Sequence, residues 1–180
     1  MKKKIILTAL AASTVALGAF IQSRPGHFRY ERSGVIQTPA AAIFPYLSNF
    51  KLGMEWSPYE KKDPNMSRSF SGPAEGAGQI ETFDGNSEAG SGRLEMLQVV
   101  ANQSVQVRLV MTKPVAADNL VEYTLTPEGT GTRFSWAMSG QIPFFGKIIN
   151  LLIDCEKMVT SDFDVGIQNL KQLVESKNSK

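Results

Sequence analysis

The central part of the chain alternates apolar and polar residues at every second position. Val105, Val107 and Leu109, for example, alternate with Gln106 and Arg108. Successive side chains of a β-strand point to opposite faces, so this alternation predicts a sheet with one apolar and one wetter face. Turn-forming segments rich in glycine and proline separate these stretches. Strands are predicted at residues 28–36, 67–71, 79–83, 92–100, 104–113, 119–126 and 132–139.

The last part of the chain changes to a helical spacing. Apolar residues recur there at steps of three and four, which places them on one side of an α-helix. They are Phe144, Ile148, Leu151, Leu152, Cys155, Val159, Phe163, Ile167, Leu170 and Val174. The spacing predicts one helix from Pro143 to about Ser176. A helix of this length must bury its apolar stripe against another element, and the preceding strands supply the surface.

The order of the predicted elements indicates an α+β fold. Two short helices, at residues 38–47 and 49–62, follow the first strand, although an ordered loop is an equal alternative for the second. A run of antiparallel strands comes next, and the long helix ends the chain. We therefore expect a curved antiparallel β-sheet wrapped around a long C-terminal helix, with a cavity between the two.

Composition narrows the class of protein. The chain has 180 residues, of which 42% are hydrophobic, as expected for a packed globular domain. Its formal net charge of +2 includes Lys2, Lys3 and Lys4, so the remaining chain is slightly acidic. A nucleic-acid-binding domain would carry a basic face, so no nucleic-acid partner is expected.

The N-terminal segment, residues 1–22, resembles a targeting sequence. An uncharged apolar run from Ile5 to Ile21 follows the three lysines, which is typical of a membrane anchor or a secretory signal peptide. Both interpretations predict export, with the domain on the extracytoplasmic side of the cell membrane, or secreted or periplasmic if the leader is cleaved. We assign residues 23–27 to a linker, 28–176 to the folded domain and 177–180 to a tail.

Short sequence matches in the expected order carry a resemblance to a known superfamily. They lie at residues 28–33 (FRYERS), 55–64 (EWSPYEKKDP), 70–73 (FSGP), 85–87 (GNS), 129–133 (GTGTR), 136–140 (WAMSG) and 162–163 (DF). The chain resembles the SRPBCC superfamily, which includes START-like proteins and the polyketide cyclase/dehydrase and lipid-transport proteins. This resemblance implies the helix-grip fold and a large cavity that binds hydrophobic ligands. It does not imply one reaction.

Side chains with catalytic potential are few. His27 is the single histidine and Cys155 the single cysteine, so neither a metal site nor a cysteine–histidine pair is predicted. No cofactor is predicted. The carboxylates that could face the cavity are Glu81, Asp84, Glu95 and Glu122. A carboxyl group that faces an apolar cavity without a cation would have a raised pKa and could act as a general acid or base.

Two main functions remain open on these residues. The first is a binding module whose partner is a lipid or another hydrophobic small molecule, with the membrane as a second partner through the N-terminal segment. The alternative is a cyclase- or dehydratase-like enzyme that uses a cavity carboxylate with Tyr59 or Arg108. A vestigial pocket in an interaction domain is a weaker third possibility. The candidate residues of the cavity or its mouth are Trp56, Tyr59, Glu81, Arg108, Glu122, Phe134, Trp136, Met138 and Phe163.

Overall fold

The computed structural model describes residues 15–178. Residues 15–22 are helical and a turn connects them to the first strand. The strands are β1 (His27–Ile36), β2 (Ser67–Ser71), β3 (Ile80–Asp84), β4 (Ser91–Val100), β5 (Ser104–Lys113), β6 (Ala117–Glu128) and β7 (Gly131–Gln141). The helices are α1 (Ala40–Ile43), α2 (Phe50–Gly53), α3 (Tyr59–Lys62), α4 (Phe144–Leu152) and α5 (Cys155–Asn178), and a 3₁₀ turn spans Phe44–Tyr46.

The strands form one seven-stranded antiparallel sheet with the order β1-β7-β6-β5-β4-β3-β2. Each strand from β2 to β6 pairs with the next one along the chain, and β7 also pairs with β1. The alternation seen in the sequence decides which face each residue occupies: Val105 and Val107 are buried while Arg108 is exposed. The predicted α+β fold with a curved sheet and a long C-terminal helix is confirmed.

The short helices after β1 are more divided than the sequence predicts. The predicted helix at 38–47 ends as α1 at Ile43 and continues as the 3₁₀ turn that contains Pro45. Proline lacks an amide hydrogen and cannot extend α-helical bonding, which explains the change of helix type. The segment 49–62 holds two helices, because the Asn49 side chain caps α2 and Pro58 precedes α3.

The predicted single C-terminal helix is two helices. The break falls at Ile153, which has extended backbone angles, and at Asp154. The Asp154 Oδ1 atom accepts a hydrogen bond of 2.9 Å from the Lys157 backbone N–H, so Asp154 caps the start of α5. The steps of three and four continue across this cap, which is why the apolar pattern alone predicts an uninterrupted helix.

The C-terminal half of α5 fills one end of the space under the sheet. Ile167, Leu170 and Val174 are buried there among residues of the sheet and the short helices. Two glycines allow this close packing. A Cβ atom on Gly34 of β1 would lie 2.8 Å from the Ile167 Cγ2 atom, and one on Gly166 would lie 2.5 Å from the Trp136 Cζ3 atom. The helix therefore lies directly on β1 and β7 at this end.

No helix within residues 15–178 is long and apolar enough to cross a bilayer. The predicted anchor or signal falls mainly on residues 1–14, which lie outside the described part of the chain. Its last residues, 15–22, are helical and contact the folded domain. The Lys147 Nζ atom of α4 donates a hydrogen bond of 3.0 Å to the Gln22 carbonyl oxygen, and the Ile142 N–H donates one of 2.8 Å to the Gly26 carbonyl oxygen.

Candidate functional site

An apolar cavity of about 810 Å³ lies between the concave face of the sheet and the N-terminal half of α5. Inward-facing residues such as Leu94, Val107 and Leu109 form its sheet wall. The α5 side of the wall runs from Phe163 back to Cys155, about 12 Å at the rise of an α-helix. The space is large enough for a small organic molecule with an apolar body.

Six of the nine residues predicted from the sequence line this cavity. They are Trp56, Tyr59, Glu81, Trp136, Met138 and Phe163. They come from the segment 49–62 with its two short helices, from β3 and β7 and from α5, so the fold brings together residues that are far apart in the sequence. Their contact with a ligand stays a prediction.

The other three predicted residues lie outside the cavity lining. Phe134 is fully buried in the packed core. Arg108 lies on the outer face of β5 and forms an ion pair with Asp118, in which its Nε–H donates a hydrogen bond of 2.9 Å to the Asp118 Oδ1 atom. Glu122 lies on the outer face of β6 and pairs with Arg29. The pleat explains both positions, because the neighbours of each along its strand point inward.

Aromatic side chains form the wall nearest to the core. The Trp136 and Phe163 rings stack with centroids 4.3 Å apart, and Trp56 meets Trp136 edge to face at 5.3 Å. The Trp56 side chain is fixed in place because its Nε1–H donates a hydrogen bond of 2.9 Å to the Tyr46 carbonyl oxygen. Trp56 therefore belongs both to the core and to the cavity wall.

The Trp136 indole nitrogen is a buried donor without a partner. Its Nε1 atom has no hydrogen-bond partner within residues 15–178, although the residue is only 5% exposed. The opposite edge of the ring, at Cζ3, packs against Gly166 of α5. An unsatisfied buried N–H costs about 1–3 kcal/mol, so an acceptor that reached this atom would remove that cost.

Two tyrosines, Tyr59 and Tyr123, also line this cavity. Burial raises the pKa of Tyr59 well above its ordinary value, and the nearby Asp162 carboxylate raises it further. Burial also raises the pKa of Tyr123, and Tyr59 and Glu81 add to this shift. Both hydroxyls are therefore protonated at neutral pH and can donate a hydrogen bond to a bound molecule.

A charged cluster occupies another part of the wall. Arg68 of β2 bridges two carboxylates, with its Nη1 atom donating to Glu81 and its Nη2 atom donating to Glu60. The side chains of Arg68 and Glu81 are 11% and 4% exposed, so both charges are removed from bulk water. Burial raises the pKa of the Glu81 carboxyl group, the Arg68 charge opposes this rise, and the Glu60 charge adds to it.

A second ion pair joins α3 to α5 at the cavity wall. The Lys62 Nζ atom lies 2.6 Å from the Asp162 Oδ2 atom, and both side chains are mostly buried. The same ammonium group lies 5.1 Å from the centroid of the Tyr59 ring. The cavity is thus apolar along most of its wall and polar where α3 meets β2, β3 and α5.

Sequence reasoning missed several of these lining residues, namely Glu60, Lys62, Arg68, Tyr123 and Asp162. Arg68 is flanked by serines in a short strand, so its sequence carries no alternation that would indicate a buried face. Lys62 and Asp162 did lie in two of the segments that carry the superfamily resemblance. Those segments therefore point to both residues, but they do not show that the two side chains form an ion pair.

The remaining candidate groups lie away from the cavity lining. His27 is exposed at the start of β1, and Asp84 and Glu95 pair with Lys113 and Arg93. Residues 15–178 contain no group of three or more histidine, cysteine, aspartate or glutamate side chains positioned to hold a metal ion. That no cofactor binds stays a prediction.

A curved antiparallel sheet closed by a long C-terminal helix over an apolar cavity is the helix-grip architecture. A family profile described as polyketide cyclase / dehydrase and lipid transport matches residues 27–175. The chain belongs to this family, and the resemblance to the SRPBCC superfamily is confirmed. No curated protein sequence matches the chain.

Solved structures share this fold at low sequence identity. Protein MLL2253 from Mesorhizobium loti is 18% identical, with a TM-score of 0.61 over 83% of this chain and 98% of its own. The Aha1 dimer from Colwellia psychrerythraea is 15% identical, with a TM-score of 0.60 over 82% of this chain and 96% of its own. The di-domain ARO/CYC StfQ of the steffimycin biosynthetic pathway is 10% identical, with a TM-score of 0.63 over 86% of this chain and 53% of its own.

Proposed function

We propose that this protein is a binding domain that holds one apolar small molecule, such as a lipid, in the cavity between sheet and α5. The observation that carries the proposal is the cavity of about 810 Å³ with its largely apolar wall. A preformed apolar cavity with a few polar groups is the usual form of a small-molecule site. The family description includes lipid transport, which agrees with such a ligand.

Filling the cavity is expected to weaken this binding. Leu109 lines the cavity, whereas Val110, its neighbour on β5, is absent from the lining and lies on the other face of the strand. Leu109→Trp should weaken binding of an anthroyloxy-labelled stearate about tenfold or more, a cost of about 1.4 kcal/mol. Val110→Trp adds the same ring on the outer face and should leave the affinity unchanged.

Fluorescence titration measures both affinities, and native mass spectrometry shows whether an apolar molecule co-purifies with the protein. Equal affinity in the Leu109→Trp and wild-type proteins would place the probe outside this cavity. A protein that binds neither the added probe nor any co-purified apolar molecule would contradict the proposal.

The ligand of this site carries a hydrogen-bond acceptor in addition to its apolar body. The unpartnered Trp136 Nε1 atom supports this part of the proposal. Anthrone and anthracene are a matched pair, because they share three fused rings and differ mainly by a carbonyl group. Wild-type protein should prefer anthrone by about threefold to tenfold, equivalent to one hydrogen bond of about 0.5–1.5 kcal/mol.

Trp136→Phe should remove this preference, because phenylalanine keeps an aromatic ring and lacks the N–H group. Competition against the anthroyloxy probe measures both affinities in each protein. Leu109→Met is a control that alters the lining without changing a donor, and it should retain the preference for anthrone. A preference for anthrone that persists in Trp136→Phe would assign the donor role to another group.

We further propose that the domain is exported and held at the extracytoplasmic face of the cell membrane by residues 1–22. The three lysines followed by an uncharged apolar run support this proposal. If the leader is cleaved, the domain is secreted or periplasmic instead. Intact mass measured on the membrane and soluble fractions of producing cells distinguishes the two, and a full-length protein in the cytoplasmic fraction would contradict both.

The alternative function is catalysis of the cyclase or dehydratase type. One observation favours it: Glu81 has a raised carboxyl pKa and lies in the cavity lining. A carboxyl group in such a place can transfer a proton to or from a bound molecule. Turnover of an aromatic polyketide substrate that falls a hundredfold or more in Glu81→Gln, with binding retained, would establish this alternative. Binding without turnover in the wild-type protein would exclude it for that substrate.

A further inference from the structure

The helix α4 has its one charged residue inside and four of its large apolar residues exposed. Lys147 is buried at 8% exposure and bonds to the Gln22 carbonyl oxygen. Phe145 and Leu152, in contrast, are 75% and 83% exposed. A helix at the surface of a soluble domain normally has the opposite arrangement, so a further apolar partner is needed to cover α4.

The same apolar surface surrounds part of the cavity lining. Val115 from the β5–β6 loop, Ile153 after α4 and Met158 of α5 are all more than half exposed and also line the cavity. We name this surface the apolar rim. It consists of Val115, Phe144, Phe145, Leu151, Leu152, Ile153 and Met158. A contiguous exposed apolar patch of this kind marks an interaction surface.

A second exposed apolar segment is fixed beside the rim. Val15, Leu17 and Phe20 of residues 15–22 are at least half exposed, and this segment joins α4 through Gln22 and Lys147. The sequence before it, residues 5–14, is uncharged and mostly apolar and follows three lysines. A basic start with such a run has the composition of a segment that enters a bilayer.

We propose that the apolar rim docks on the surface of a lipid bilayer, so that the cavity exchanges its ligand directly with the membrane. The proposal rests on the proposed binding function. The bilayer is the occupant that fits the observations, because the rim and the N-terminal segment are neighbours on one side of the domain. Phenylalanine and leucine side chains insert into the interface between headgroups and acyl chains, and an apolar ligand already resides there.

Docking is tested first by a fluorescent label on the full chain. Phe145→Cys is prepared with Cys155→Ser, so that it carries the one thiol, and is labelled with an environment-sensitive dye. The matched control is Leu97→Cys in the same background, because Leu97 is 46% exposed and lies on β4 away from the rim. Vesicles of phosphatidylcholine and phosphatidylglycerol in equal parts should shift the emission to the blue at position 145 and leave it unchanged at 97.

Ligand exchange is tested with the anthroyloxy-labelled stearate loaded in the same vesicles. The double variant Phe145→Glu, Leu152→Glu should take up the probe about tenfold more slowly than wild type, because charged side chains resist insertion. The control variant Leu97→Glu, Val165→Glu adds the same charge at exposed apolar positions outside the rim and should keep the wild-type rate. Binding of the probe in solution without vesicles should be equal in all three proteins.

Each other outcome contradicts docking on a bilayer. A label at position 145 that shows no shift while the protein cosediments with vesicles overturns it. A blue shift that needs no vesicles and rises with protein concentration assigns the rim to a second copy of the chain. A blue-shifted emission that depends neither on vesicles nor on protein concentration assigns the rim to residues 5–14 of the same chain. If binding in solution persists in these cases, docking alone fails and the proposed binding function stands.

Discussion

Arg68→Met is expected to lower the free energy of unfolding by about 3–5 kcal/mol at pH 7, the usual cost of removing one partner of a buried ion pair. Arg68 bridges Glu81 and Glu60, and its loss leaves Glu81 in the cavity wall without a cation. The double variant Arg68→Met, Glu81→Gln should recover most of the loss, because glutamine carries no charge into the apolar space. Urea denaturation of the three proteins measures the difference.

The loss of stability in Arg68→Met should depend on pH in a defined direction. The pKa of Glu81 is already raised in the folded protein, chiefly by burial, and removing the Arg68 charge raises it further. A carboxyl group whose pKa is higher in the folded than in the unfolded protein destabilises the fold once the pH exceeds the unfolded pKa, which is about 4.3 for glutamate. The difference in unfolding free energy between Arg68→Met and wild type should therefore grow as the pH rises above about 4 and shrink when the solution is acidified.

Arg108→Met provides the matched control for this prediction. Arg108 also forms an ion pair, with Asp118, but both side chains are about half exposed on the outer face of the sheet. Exposed ion pairs contribute little, so this variant should unfold at the wild-type urea concentration at every pH. Equal stability of Arg68→Met and wild type at pH 7 would show that the buried pair is not stabilising, and a deficit that does not change with pH would show that the Glu81 charge does not cause it.

Phe163→Ala is expected to lower the free energy of unfolding by about 3–5 kcal/mol. Phe163 is 1% exposed and stacks on Trp136, so its removal takes away a full aromatic contact at the border between core and cavity. The space that it vacates adjoins the existing cavity. We therefore expect an added apolar probe to stabilise the variant by RT ln(1 + [probe]/Kd), which rises with the logarithm of probe concentration once that exceeds Kd.

Val165→Ala is the control on the same helix, because Val165 is 47% exposed and faces away from the sheet. Its effect should stay within about 0.5 kcal/mol. Thermal and urea unfolding with and without anthrone measure both variants. A similar cost for the two substitutions would show that α5 does not bury Phe163 as described, and an unstable variant that no probe stabilises would show that the vacated space does not join the cavity.

The fold was predictable because most of its elements follow local patterns. The strand at 104–113 was predicted at its observed bounds, since alternation, turn residues and β-branched side chains agree there. The break before α5 was not predictable from periodicity, because Asp154 continues the polar side of the stripe. Only its capping bond to Lys157 shows that a new helix begins.

The site was predictable only in part. The parity of a strand tells which residues share a face, and this predicts Trp136 and Met138 as inward-facing. It does not tell which face a charged residue occupies when both parities carry apolar side chains, as around Glu81. The alternation along β5 and β6 places Arg108 and Glu122 outside, whereas Arg68 lies inside because of how β2 pairs with β3, which is a tertiary property.

The pairing of β1 with β7 affects the order in which the fold assembles. Strands β2 to β7 can pair as successive hairpins, but His27 cannot pair with Gln141 until all the strands between them have been synthesised. Contacts between such distant residues form slowly. The cavity, which the N-terminal half of α5 covers, therefore forms only after β1 and β7 have paired and α5 has been synthesised.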